Sequence, residues 1–226
     1  MIWTLNDDAQ AVAGRACSRI QQAARTAIAT RGRFSIVLAG GTTPALCYRL
    51  LAQSTSDWDR WHVYFGDERC LAVTDPRRNS AMASEALLDR VCIPRDQIHP
   101  IAAELGTEIA ARDYAMKISS ATPFDMVLLG LGEDGHTASL FPGRNYQLQL
   151  PVIPVHDAPK PPAERVSMNF PALSNSRQVL FLVSGNSKQK AVERWRSGDP
   201  LPASGIRSRG RLEVLVDRAA WGECPP

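Results

Sequence analysis

Apolar residues along this chain cluster in short continuous runs separated by longer, amphipathic stretches. Residues 34–39 (FSIVLA), 61–65 (WHVYF) and 124–129 (FDMVLL) are too short for independent helices and carry little polar alternation. Such runs predict strands buried on both faces. Residues 152–155, 165–169, 178–183 and 212–216 predict further strands. The stretch 8–30 is rich in Ala and other good helix formers and ends near Gly32, which predicts a helix. Helices are also predicted over 45–53, with Pro44 in the first turn, over 79–91, stopping before Pro94, and over 106–120 and 187–196. Strands alternating with helices predict an α/β fold whose mainly parallel, twisted sheet carries helices on both faces. The Pro-rich stretch 151–162 reads as a loop within one domain spanning residues 1–226. The pattern does not decide whether residues 1–5 join the sheet.

Composition narrows the class. The 226 residues are 44% hydrophobic and 22% charged, which excludes a disordered, collagen-like or coiled-coil chain. No apolar run approaches the ~18 residues of a membrane span. Asp7 and Asp8 stand where a signal peptide would carry basic residues. The formal net charge of +3, with acids and bases interspersed, suits a small anionic ligand better than nucleic acid. Five cysteines, at 17, 47, 70, 92 and 224, form no CxxC pair. They are expected to be small buried hydrophobes in a reducing cytoplasm.

In parallel sheets ligands gather beyond the carboxyl ends of strands. Three segments fall there. Gly40-Gly41-Thr42-Thr43-Pro44 joins a strand to a helix, so its backbone can approach a ligand closely and the helix start offers free N–H groups. This is either a phosphate cradle or an ordinary turn with a Thr N-cap. The second segment, Gly66-Asp67-Glu68-Arg69, closes the strand at 61–65. The third, Gly130-Leu131-Gly132-Glu133-Asp134-Gly135, matches the dinucleotide fingerprint GxGxxG, with Asp157 downstream. Pro142-Gly143 would break the long helix that the fingerprint requires, which leaves an oxyanion or anion loop as the better reading. His136 follows on the same loop. It is either a general base, with Asp134 orienting its ring, or a satisfied structural histidine. His62, inside a strand, and His99, before a proline, read as structural. Arg69, Lys160, Arg165 and Lys188 lie near strand ends, as anion contacts or as solvated charges. No metal-ligand cluster stands out, since Asp134 and His136 lack an obvious third partner. The nearest approach to a GxSxG elbow, Gly185-Asn186-Ser187-Lys188-Gln189, lacks the last glycine.

Taken together these segments resemble the 6-phosphogluconolactonase family, within the broader deaminase and ribose-5-phosphate isomerase fold group of Rossmann-like type. The similarity runs from Phe34 to Asp217 through the double-glycine loop, Gly66-Asp67-Glu68-Arg69, the block from Leu128 to Gly143, Ala158-Pro159-Lys160-Pro161-Pro162 with Arg165, and Gly185 with Lys188. The block from Gly132 to Gly143 is the most specific part. The resemblance implies hydrolysis of 6-phospho-D-glucono-1,5-lactone without metal or organic cofactor. It implies His136 as general base supported by Asp134, and Gly40, Gly41, Thr42, Arg69 and Lys188 as phosphate contacts. Lys160 and Arg165 match a basic loop lining the family's site. It further implies a cytoplasmic monomer or small homo-oligomer whose ligand is a small phosphorylated sugar lactone, with neither nucleic acid nor membrane as partner. Ala72 stands where the family usually has proline, which implies a less rigid loop over residues 70–79; Asn79 matches the family's asparagine. An amino-sugar-phosphate deaminase or isomerase would need an Asn-Glu pair where Ser139-Leu140-Phe141 stands, and Tyr in place of Arg69. A sugar-phosphate-binding regulator would need neither His136 nor the intact cation set.

Overall fold

The computed structural model describes residues 1–222, so Cys224 lies outside the described residues. The strands are β1 (Ile2–Asn6), β2 (Phe34–Leu38), β3 (Trp61–Phe65), β4 (Asp67–Arg69), β5 (Ile98–His99), β6 (Phe124–Leu129), β7 (Val152–Val155), β8 (Arg165–Met168), β9 (Ser176–Val183) and β10 (Arg211–Asp217). The helices are α1 (Ala9–Arg31), α2 (Thr42–Ala52), α3 (Asn79–Ala83), α4 (Thr107–Ser119), α5 (Phe170–Ser174), α6 (Gln189–Arg196), α7 (Pro202–Gly205) and α8 (Arg218–Trp221). Seven strands form one parallel sheet in the order β1-β10-β9-β6-β2-β3-β5. The chain's first strand therefore joins the sheet at an edge, beside the last strand.

Every residue of β2 and β6 is buried, as continuous apolar runs require when both faces are covered. α1 packs on one face, where Arg19 meets the buried Glu213 of β10. Leu180 of β9 lies beside Glu213. The next residue, Phe181, points to the other face and meets Trp195 of α6 edge-on at 4.8 Å between ring centroids. Asp8 caps α1 by accepting from Ala11 N at 2.8 Å, and Gly32, at φ 72°, ends it by donating to Ile28 O. His62 and His99 stack at 6.0 Å, and burial lowers the pKa of His99 to about 4, which matches a structural reading for both.

Three expectations need correction. The strands over 152–155 and 165–169 are not part of the parallel sheet: β4, β8 and β7 form a separate antiparallel sheet in that order. Asn169 leaves the strand because its side chain caps α5, accepting from Phe170 N. The helix expected over 79–91 is α-helical only to Ala83, widens into a π-helical turn over Ser84–Leu88 and ends there. Cys92 is exposed and Cys70 only partly buried, whereas Cys17 and Cys47 are buried as expected.

Candidate active site

The four adjacent strands β9, β6, β2 and β3 all end at one cleft of about 390 Å³. Every residue predicted for the site lines it except Asp134, which touches it through His136. A larger groove of about 880 Å³ is lined by Phe141 and Leu201 among others, and among the described residues the charged side chains lining it are those of Arg144 and Arg207. The residues predicted for the site thus gather in the smaller cleft.

The segment after β6 forms no helix. Gly135 N donates to Gly132 O at 3.0 Å and Gly132 N to His136 O at 2.7 Å, so the chain turns back on itself. The fingerprint reading of GxGxxG therefore fails on local geometry. Gly132 is required for contact rather than for φ: a Cβ there would lie 2.0 Å from His136 Nδ1. His136 Nδ1 stands 2.5 Å from Asp134 Oδ1, which also accepts the His136 backbone N–H at 3.1 Å. Burial pushes the Asp134 carboxyl up, but the His136 backbone N–H and the imidazole outweigh it and hold it below the usual range. The ionised carboxylate can only accept, so the neutral ring carries its proton on Nδ1 and Nε2 is the basic nitrogen. Phe141 packs on the imidazole at 4.7 Å. Leu201 backs the turn at Gly135, and Ala203 N donates to Gly135 O.

Across the cleft, α2 begins three residues earlier than the pattern suggests. Its N-cap is Gly41 at φ 112°, not a threonine, and no side chain caps it. The positive end of the helix thus opens on the cleft with uncapped N–H groups at Thr42 and Thr43. Thr43 Oγ1 instead meets Ser184 Oγ at 2.5 Å, tying α2 to the end of β9. Gly40 leans against Asn79: a Cβ on Gly40 would lie 1.9 Å from Asn79 Oδ1. Asn79 Nδ2 donates to Asp67 O and Oδ1, and Asp67 Oδ2 accepts from Ser139 Oγ at 2.6 Å. Asp67 thereby joins the double-glycine side of the cleft to the loop bearing His136.

The antiparallel sheet sets Arg69 of β4 directly opposite Arg165 of β8. Like charges at such positions repel. Burial is the main reason that the Arg165 pKa is lowered; Asp67 offsets it and Arg69 adds to it. Arg165 is further committed, donating through Nη2 to Lys160 O and through Nε to Pro162 O. Arg69 donates through Nη1 to Arg77 O, while its buried Nε–H has no acceptor among the described residues. Lys160 is exposed and paired with Glu133 at 2.9 Å. Lys188 is half-buried and has no hydrogen-bond or ion-pair partner among the described residues; burial lowers its pKa, Glu133 offsets this, and Lys160 lowers it again. It sits in a 3-10 turn (Asn186–Lys188) just before α6. The loop after β4, with Ala72, is ordered by turns from Asp75 N to Ala72 O and from Arg78 N to Asp75 O, and by the Arg77–Asp75 pair at 2.7 Å.

The model of the family described as glucosamine-6-phosphate isomerases/6-phosphogluconolactonase matches residues 7–215. The chain belongs to this family. The match begins well before Phe34, so α1 is part of the shared architecture. Relatives within the family include the 6-phosphogluconolactonase of Streptomyces coelicolor, 38% identical with 96% of this chain and 90% of that protein aligned. That of Synechocystis is also 38% identical, over 88% of each chain. The solved 6-phosphogluconolactonase of Thermotoga maritima superposes with a TM-score of 0.88 at 30% identity, covering 96% of this chain and 99% of that one. A monomeric glucosamine-6-phosphate deaminase of 22% identity shares the fold, at a TM-score of 0.83.

Within this family framework, sequence reasoning missed Asp67 and Ser184 and gave Asn79 no contact. The signal for Asn79 lay in Gly40, where only a residue without Cβ leaves room for a neighbour. Nothing local points to that neighbour. The Asp67–Ser139 bond joins β4 of the small sheet to the loop that follows β6, and no spacing in the chain announces it.

Proposed function

We propose that this chain hydrolyses 6-phospho-D-glucono-1,5-lactone to 6-phosphogluconate, the reaction of the oxidative pentose phosphate pathway, by His136-assisted attack of water. The observation that carries this reading is the meeting, in one cleft, of an oriented imidazole and an opposed arginine pair beside an uncapped helix start. A lactone is an activated ester and needs no protein nucleophile. Asp134 holds the His136 tautomer, Nε2 takes a proton from water as the water oxygen adds to C1, and the imidazolium returns that proton to the ring oxygen as the C1–O(ring) bond breaks and the ring opens to the acid. General-base assistance of this kind supplies roughly 10²–10⁴-fold. Arg69, Lys188 and the N–H groups at Gly41, Thr42 and Thr43 hold the C6 phosphate, which fixes the sugar while C1 reacts. A bound dianion also relieves the repulsion between Arg69 and Arg165. Lys160 and Arg165 line the cleft wall: Lys160 is paired with Glu133, and Arg165 anchors the 160–162 backbone through Nε and Nη2 while its charge faces Arg69. Ser139-Leu140-Phe141 supplies no carboxylate for deaminase chemistry.

The reading extends to one domain over residues 1–226, acting in the cytoplasm as a monomer or small homo-oligomer; the four free cysteines among the described residues suit that setting. The test is acid release from freshly made 6-phosphogluconolactone, corrected for spontaneous hydrolysis. Enzyme-dependent release is expected, with plain gluconolactone a much poorer substrate. No release above background overturns the reading.

A further inference from the structure

Glu68 is wholly buried and does not line the cleft, yet its carboxylate is fully engaged beside it. Oε1 accepts from Arg69 N at 2.9 Å and Asn79 N at 2.7 Å. Oε2 accepts from Ser80 N at 2.8 Å and faces Arg78 Nε at 3.5 Å. α3 has no N-cap side chain of its own. Glu68 supplies that cap from a distant strand, placing negative charge at the helix start. Arg78, 3% exposed, continues the chain of contacts to Glu104 at 2.8 Å and to Ile101 O at 2.7 Å. One buried carboxylate thus pins two groups that reach the cleft. The first is the backbone that projects Arg69. The second is Asn79, the seat of Gly40.

We infer that Glu68 is a positioning residue for phosphate recognition: it acts through Arg69 and Asn79 and sets how well the enzyme distinguishes a phosphorylated lactone from a plain one. The inference rests on the proposed role of Arg69 in holding the substrate phosphate. Its chemistry is that of an obligate acceptor. Three N–H donors and a guanidinium converge on Glu68, so an amide in its place turns one oxygen into a donor facing donors. The carboxylate also compensates Arg78, whose charge has little other access to solvent.

The test uses E68Q, R69A and the double variant E68Q/R69A, each assayed on 6-phosphogluconolactone and on gluconolactone. E68Q is expected to raise KM for the phosphorylated lactone about tenfold, with kcat kept within about threefold and little change on the plain lactone. Because Glu68 acts partly through Arg69, the loss in the double variant on the phosphorylated substrate should fall short of the product of the two single losses. Equal losses on both lactones, a lowered Tm with unchanged kinetics, or losses that multiply in the double variant would each overturn the inference. E68D keeps the charge but withdraws the oxygens by one methylene, and should show the same KM-selective loss. If E68D also fails to fold, Glu68 is a folding requirement and the positioning role is rejected. Failure of the underlying reading has its own signature: R69A itself would leave KM for the phosphorylated lactone unchanged, and this inference would fall with it.

Discussion

The two ends of the cleft hold their chemistry by different means. At the base end, the residues that set His136 are its near neighbours in sequence: Asp134 fixes the ring, Gly132 makes room for it, and Gly135 closes the turn. At the proposed phosphate end, the geometry of Arg69, Gly40 and β4 depends on more distant partners. Arg69 faces Arg165 across an antiparallel pair, Gly40 rests on Asn79, and Glu68 staples β4 to α3. The proposed base is therefore a local motif carried on a strand end, while the proposed anion site is a product of tertiary assembly. Damage at the first should strike the chemical step for any lactone. Damage at the second should be felt only where a phosphate is present to be held.

The contrast is broken most directly at His136. H136N should lower kcat by 10²-fold or more, within the ~10²–10⁴ that a general base contributes, and equally on phosphorylated and plain lactones. Near-full activity in H136N would remove the base from this loop. G132A sharpens the point without touching the imidazole. Its Cβ would sit 2.0 Å from Nδ1, so the ring must move, and displacement on the scale of an ångström costs about 10²-fold. A normal kcat in G132A, with the fold checked by circular dichroism, would show that ring placement is not controlled there.

At the other end, R69A and K188A should each lower kcat/KM for 6-phosphogluconolactone by about 10–150-fold, the equivalent of ~1.5–3 kcal/mol for a charge-assisted contact. Plain gluconolactone should be much less affected. K160A should lose less than about fivefold, because its ammonium is exposed and already paired with Glu133. A K160A loss as large as that of K188A would mean the Glu133 pair opens to bind substrate. The smallest expected effect is none: dialysis against EDTA should leave the rate unchanged, since Asp134 is spent on His136 in the proposed mechanism. Activity lost to EDTA and restored by a divalent ion would replace that mechanism.

Sequence legibility followed the same divide. β3 and β6 have the predicted ends, and β2 falls one residue short, because continuous apolar runs in a parallel core have few alternative conformations. The His136 loop was readable because its glycines, its carboxylate and its base are contiguous. β4 was not predicted: its three residues, Asp67, Glu68 and Arg69, are all charged, and only pairing with β8 makes them a strand. The second sheet was hidden for a related reason, since short apolar runs such as residues 152–155 look alike in parallel and antiparallel surroundings. The start of α2 was misplaced by three residues because Gly41 serves as N-cap without a side chain to signal it. Among the cations, charge and position could be read, but commitment could not. Lys160 and Lys188 look alike in sequence, and only the structure shows Glu133 holding one of them.

The pairing of β1 with β10 gives this protein a schedule as well as a shape. Trp3 lies opposite Val214 in that pair and packs against Trp195 and Trp221 at 5.1 and 5.7 Å. On a ribosome β1 emerges long before its partner β10 exists. At ~5–20 residues per second, the wait is roughly 10–40 s. During that interval α1 has no β9 or β10 to pack against. Sheet closure is therefore a late event in biogenesis, and for much of its synthesis the nascent chain presents a greasy amino-terminal helix to whatever chaperones attend it.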